Sequence, residues 1–267
     1  MPAAELSRIQ AQIKAISTQI DQPAVFVHSL QALLEMYAEH AFQPGNLAKF
    51  KILIPSYRVP PLIMHQLEIN MPGLAEKNPS QVLEAADLLW KEKYYEVRLM
   101  GIILLGNLPV KFAQPVSKRI ASWINPDEEK ELIKALLSIG SRRLRNEKPE
   151  LWLHIIQMWI KDENDEIKKI GLQSMISIII DPKFEDFPKI YNLLEIAIRN
   201  PNVTIQKELF LAISQMTDRS PMEMTAFLRN VLIKTQEETV RKFIRRCLPL
   251  LEETDQVSLK AIMERPL

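Results

Sequence analysis

NPSQVLEAADLLWKEKYYEVRLMGIILLGNLP, residues 78–109, reads as two helices and the turn between them. Asn78-Pro79-Ser80 opens the first, because proline fits the first helical turn, where its missing N–H would have no partner in any case. That helix runs to about Lys91. A second begins near Tyr94 and stops before Pro109. Within it Val97, Met100, Ile103, Leu104 and Leu108 recur every three or four positions, which gathers them on one helical face.

The same pattern continues outward. Leu132, Leu136, Leu137 and Ile139 keep helical spacing, as do Ile155, Met158, Trp159 and Ile160. Pro115 lies near the start of a helix that ends near Trp123. Asn125-Pro126-Asp127-Glu128-Glu129 reads as the next helix start, with proline in the first turn and acids favoured by the helix dipole. Lys148-Pro149-Glu150 opens another helix, broken at Asp162–Asp165, and Asp181-Pro182 ends its successor. Asn200-Pro201 and Ser220-Pro221 divide the remainder, and a last amphipathic helix covers about Glu237–Leu251. Helix pairs therefore fall at 79–108, 115–145, 149–180, 186–217 and 221–253, a step of roughly 30–40 residues, within the range of helical repeat arrays. The second helix of each pair is the richer in Ile, Leu and Met, which suits the inner layer of a stack. The expectation is an all-α solenoid of stacked antiparallel helix pairs in a single domain over 1–267. Residues 1–50 would form an N-terminal helical cap, 51–253 the pairs and 254–267 a tail. An irregular single-core helical domain is the alternative.

Composition agrees. The chain has 6 glycines in 267 residues, and sheets and phosphate-cradling α/β folds spend glycine on turns and close backbone approaches. No stretch alternates with a two-residue period between hairpin dipeptides. The single cysteine, Cys247, excludes an internal disulfide or a thiolate zinc cluster and reads as a small buried hydrophobe. The start, Met1–Gln10, does not look like a signal peptide, and the longest apolar stretches, Leu99–Val110 and Met175–Ile180, are too short to span a bilayer. These readings point to a cytoplasmic protein with no membrane partner, expected to be a monomer.

Chemistry-bearing motifs are scarce. Phosphate-binding glycine loops, a nucleophile elbow and a zinc-protease helix are all missing. His28, His40, His65 and His154 share no ligand spacing, so no metal or cofactor is expected. Net charge is +1 and evenly spread: 6 basic and 6 acidic groups in residues 1–80, 15 and 15 in 81–181, 13 and 12 in 182–267. A polyanion site would have to come from basic groups gathered on one face by folding. Arg142, Arg143 and Arg145 cluster at one helix end, and Arg241, Lys242, Arg245 and Arg246 form two i,i+4 rows on another helix. With Lys168, Lys169 and Lys207 they could line a duplex backbone as one stripe. Solvated, salt-paired helix faces are the competing reading.

Four motifs, in order, resemble the DNA alkylation repair family of HEAT-like alkylpurine DNA glycosylases. Ile54-Pro55-Ser56-Tyr57-Arg58-Val59-Pro60-Pro61-Leu62 is similar to that family's early loop-to-helix segment. Leu89-Trp90 followed by Tyr95-Glu96-Val97-Arg98-Leu99 matches a second. Trp159-Ile160-Lys161-Asp162-Glu163-Asn164 resembles its connector, and Gln206-Lys207-Glu208 opens a late helix as the family does. The resemblance spans about residues 50 to 250. It implies a HEAT-like fold, double-stranded DNA as partner and excision of cationic N-alkylated purines. It also implies a carboxylate and two tryptophans around the lesion, stabilising an oxocarbenium-like sugar. Trp123 and Asp127 fit the family's tryptophan and aspartate; if the helix were continuous across Pro126, they would share a face. In the plainer reading, Trp123 fills a groove between helices and Asp127 is a first-turn acid. Three departures stand out: Glu166 occupies the place of the second tryptophan, Lys168-Lys169 that of an arginine pair, and Ser214 that of a late arginine. A non-catalytic HEAT-repeat scaffold binding protein partners or structured DNA is the rival function.

Overall fold

The computed structural model describes residues 3–38 and 52–264, and the described residues contain helices and no strand. The fold is all-α and HEAT-like. Fifteen α-helices are described: α1 (Ala3–Ser17), α2 (Pro23–Met36), α3 (Pro61–Lys77), α4 (Pro79–Trp90), α5 (Tyr95–Asn107), α6 (Ala113–Trp123), α7 (Lys130–Ala135), α8 (Arg142–Glu147), α9 (Pro149–Ile160), α10 (Asp165–Ile179), α11 (Phe187–Ile198), α12 (Gln206–Arg219), α13 (Pro221–Lys234), α14 (Glu238–Cys247) and α15 (Glu253–Glu264). They form two compact units, Met1–Trp152 and Leu153–Leu267. Residues 39–50 of the expected cap, His40 among them, lie outside the described residues.

In the first unit α1, α3, α5 and α7 pack in succession, while α2 packs on α4 and α4 on α5. The buried residues of α4, Val82, Ala85, Ala86 and Leu89, sit at i, i+3, i+4 and i+7, the stripe expected of a helix with one covered face. The hub is α5, in which ten of thirteen residues are buried. A Cβ on Gly106 would run into the Ile139 carbonyl and crowd Gly140, so these two glycines let α5 approach the backbone of Leu136–Gly140 directly. That segment carries one π-type turn between α7 and α8, an irregularity the periodicity of Leu132–Ile139 does not reveal.

In the second unit the second helices of successive pairs form one layer, α10 on α12 and α12 on α14. The first helices form another: α13 packs on α15, and Tyr191 of α11 meets Phe227 of α13 with ring centroids 5.4 Å apart. Arg219 at the end of α12 donates to the carbonyls of Ile179, Asp181 and Phe184 at 2.7–2.9 Å, satisfying the open C-terminus of α10.

Two boundaries differ from the sequence reading. Residues 125–129 do not start a helix: α6 ends at Trp123, Ile124 turns extended, and α7 begins at Lys130. Asn125 Oδ1 accepts the Asp127 N–H at 3.0 Å, an Asx turn that competes with a helical start, and the Glu129 side chain supplies the N-cap of α7. The segment expected as a tail is α15, whose Leu259 is fully buried and whose Asp255 accepts a hydrogen bond from Thr225 of α13 at 3.0 Å.

Candidate functional site

In the first unit the site is built around Trp90, the last residue of α4. The Trp123 indole stacks on it, centroids 4.6 Å apart and planes 4° from parallel. The Arg98 guanidinium lies 4.1 Å from the Trp90 ring centroid and grips both carboxylate oxygens of Glu128. Trp123 and Glu128 bound one turn of chain, so the 123–128 segment is fastened at one end to the Trp90 indole directly and at the other through Arg98. Stacking of this kind is worth roughly 0.5–1.5 kcal/mol beyond the area buried. Trp123 is 8% exposed, while Asp127 lies on the outside of the turn, exposed to solvent. The two residues flank one another along the turn rather than sharing a helical face.

Beside this stack, residues 52–60 are strapped down by carboxylates. Glu96, 5% exposed, accepts from the Ser56 hydroxyl at 2.6 Å, from the Tyr57 N–H at 2.9 Å and from the Arg58 N–H at 2.8 Å. Arg58 adopts φ 55° there, a left-handed conformation uncommon for a non-glycine residue. Tyr57 stacks on Tyr94 with centroids 4.0 Å apart, and Glu129 accepts from the Leu53 N–H at 2.7 Å. The region is acidic. Burial pushes the Tyr95 phenol above its ordinary pKa, with Glu131, Glu96 and Glu129 adding to it. Burial likewise raises Tyr57, with Tyr94, Glu35, Glu92 and Glu96 contributing.

The arginines of the first unit are partly committed to its interior. Arg143 pairs with Glu76 at 2.7 Å and Glu147 at 2.9 Å and donates to the Asn107 carbonyl at 3.0 Å, capping α5. Arg142 donates to the Asn107 side chain at 3.1 Å, and Arg145 to the Ser138 carbonyl at 3.0 Å.

In the second unit the remaining cations lie on α10, α12 and α14, which pack in succession. Lys168 pairs with Asp165 at 2.9 Å, Lys169 with Glu166 at 3.6 Å and Lys242 with Glu238 at 3.8 Å. The Lys168 ammonium, with Asn202, holds the Asp165 carboxyl below its usual pKa. Such pairs within one helix are worth only about 0.3–0.5 kcal/mol, so their lysines remain recruitable by a phosphate. Lys207 and Arg245 are exposed and make no ion pair among the described residues. Arg246 is exposed and donates to Gln206 Oε1, tying α14 to the start of α12. Arg241 departs from the row: it is half-buried and donates to the Met263 carbonyl of α15 at 3.2 Å. Among the described residues no group of three or more His, Cys, Asp or Glu side chains is arranged to hold a metal ion, and no single helix is long and apolar enough to cross a membrane.

A model of the DNA alkylation repair enzyme family matches residues 70–247, two thirds of the chain. The chain belongs to the DNA alkylation repair enzyme family. The match takes in Trp90, Arg98, Trp123, Asp127 and the α10–α14 cations; the Ile54–Leu62 segment lies before it. Among solved structures, the X-ray structure of AlkD2 from Streptococcus mutans is similar over 72% of this chain and 98% of that one, with 14% identity and a TM-score of 0.48. No curated protein matches the chain. Within this family member, Trp90, Arg98 and Glu128 form a cluster that the sequence reading does not single out as a site. The signal was present in the spacing of Leu89-Trp90 and Glu96-Val97-Arg98, which puts a tryptophan and an arginine on either side of one helix–helix turn.

Proposed function

We propose that this member of the DNA alkylation repair family binds double-stranded DNA through the cations of α10, α12 and α14. Lys168, Lys169, Lys207, Lys242, Arg245 and Arg246 take phosphates in the second unit; in the first unit, Arg142, Arg143 and Arg145 are its own phosphate-binding groups. The observation that carries the reading is the pair Lys207 and Arg245: exposed cations on adjacent helices with no ion-pair partner among the described residues. Charges left unpaired in a protein of net charge +1 suit a polyanion that pairs them on binding. Arg241 and Arg143 contribute least, because each already serves its own unit.

Within the same reading, Asp127 is the carboxylate for excision of cationic N-alkylated purines. Its exposure leaves it free to face the sugar of an extruded nucleotide and stabilise positive charge as the glycosidic bond breaks. Trp123 stands beside it, and Trp90 with Arg98 holds the turn. The test is incubation of purified protein with N-methylated duplex DNA and assay of released bases. Release that Asp127→Asn abolishes supports the reading.

The second reading is a non-catalytic HEAT-repeat scaffold for structured DNA or a protein partner. Two observations favour it: the Trp123 face is already spent on Trp90, and Glu166 stands where a second aromatic wall belongs. Salt-dependent duplex binding without base release would select it.

A further inference from the structure

In the second unit, away from the cationic row, the ends of α11 and α13 part to leave a cavity of about 370 Å³. That volume lies within the range of pre-formed ligand pockets, roughly 300–1,000 Å³. The two helices are held together earlier, where Tyr191 meets Phe227. The floor is apolar, from Ile198, Phe227, Val231 and the buried Val240 at the start of α14. The rim carries hydrogen-bond donors. Lys234 and Asn230, one turn apart on α13, are exposed and line the opening, and neither side chain has a hydrogen-bond or ion-pair partner among the described residues. Arg199, just past the end of α11, pairs with Glu195 at 3.3 Å, so the one acid among the lining residues has a cation beside it. The carbonyl end of α13 opposes an incoming anion with about half a charge, less than the full charge of Lys234.

The apolar surface continues past the cavity. Met222, Ala226 and Ile233 follow i, i+4 and i+11 spacing along α13, and Met222 is 79% and Ile233 67% exposed. Thr225 and Arg229, which bond to Asp255 and Ser258 of α15, lie to one side of that ridge, and Asn230 and Lys234 to the other. A ridge beside a cavity suits a chain longer than a single small molecule. On α14 the cavity side, Val240, lies opposite Lys242 and Arg245 around the helix, so occupation of the cavity leaves the cationic face open.

We propose that this cavity and ridge form a docking site for a partner polypeptide whose terminal apolar residue enters the cavity and whose C-terminal carboxylate pairs with Lys234 and Asn230. Apolar burial supplies the contact, and charge complementarity selects the end of the chain. The site is independent of the DNA face.

The experiment uses the full chain and a fluorescein-labelled pentapeptide of two glycines, aspartate, leucine and a C-terminal phenylalanine, followed by anisotropy. The peptide is expected to bind saturably. Its C-terminal amide should bind about fivefold more weakly, Lys234→Gln should lose about the same factor, and that variant should no longer distinguish acid from amide. Ile233→Ser, a surface change that spares the core, should also weaken binding. Duplex DNA affinity should be unchanged in both variants, which reports that they are folded. The proposal is overturned if the peptide shows no saturable binding, or if both variants bind it as the wild type does. It is equally overturned if N-acetyl-phenylalanine binds as tightly as the pentapeptide, since the cavity would then belong to a free organic acid.

Discussion

Glu96 shows how much of this protein hangs on single buried carboxylates. Its two oxygens take the Ser56 hydroxyl and the N–H groups of Tyr57 and Arg58, so Glu96→Ala should leave the Ser56 hydroxyl and the Tyr57 N–H without partners, while the Arg58 N–H keeps the Ser56 oxygen at 3.1 Å. At about 1–3 kcal/mol for each unsatisfied group before relaxation, a net loss of roughly 3 kcal/mol is expected in chemical denaturation, with faster proteolysis of residues 52–60; unchanged stability would mean the strap is held elsewhere. Asp127 has no such role, being exposed on a turn closed by Asn125. Asp127→Asn should therefore spare the fold and DNA affinity while lowering any base-release rate on the order of 10²–10³-fold. Cys247 is buried, and burial pushes its thiol up to about 12. The unfolded chain ionises that thiol near 8.5, so above that pH the unfolded state loses a proton that the native state keeps. Stability from this group should fall as pH rises from about 8.5 to 12, and Cys247→Ala should remove that fall, read as melting temperature against pH. At this scale the sequence showed Cys247 as a core residue, because its neighbours are apolar at helical spacing. It could not show Glu96 as an anchor, since its partners lie about forty positions earlier.

Among elements, prolines made the boundaries readable: Pro61, Pro79, Pro149 and Pro221 each stand at the first position of a helix. The same rule misled at Pro126, where the Asx turn of Asn125 consumes the N–H that a helix start would offer. The Leu136–Gly140 irregularity was also hidden, because it answers to α5 rather than to its own sequence. There two effects of opposite sign meet. Gly106→Ala gains about 1 kcal/mol of helix propensity, but its Cβ meets the Ile139 backbone, and overpacking against an obstacle that cannot rotate away costs about 1–3 kcal/mol or more. The clash should win by roughly 1–2 kcal/mol, measured by urea unfolding; a stabilised variant would show that α5 and the π-type turn can separate freely. The unlike faces of α14 were legible throughout, with Val240, Phe243, Ile244 and Cys247 buried and Lys242, Arg245 and Arg246 exposed.

For the whole molecule, a net charge of +1 conceals how the charges are used. Glu96, Glu128 and Glu129 are spent inside the first unit on backbone donors and Arg98, while α12 and α14 of the second unit keep Lys207 and Arg245 unpaired among the described residues. Composition could not reveal this, because pairing depends on which helices lie side by side. The helical-array reading was available from punctuation alone, and the family from four short motifs; the partition of charge between structure and surface required the fold. Affinity for duplex DNA as a function of salt tests the central claim most directly. Wild-type protein should show log K falling linearly with log salt concentration, at about 0.9 per phosphate neutralised. Replacing Lys207, Arg245 and Arg246 with alanine together should weaken binding to every sequence and make that slope shallower by roughly 2–3. An unchanged slope and affinity in the triple variant would contradict the account.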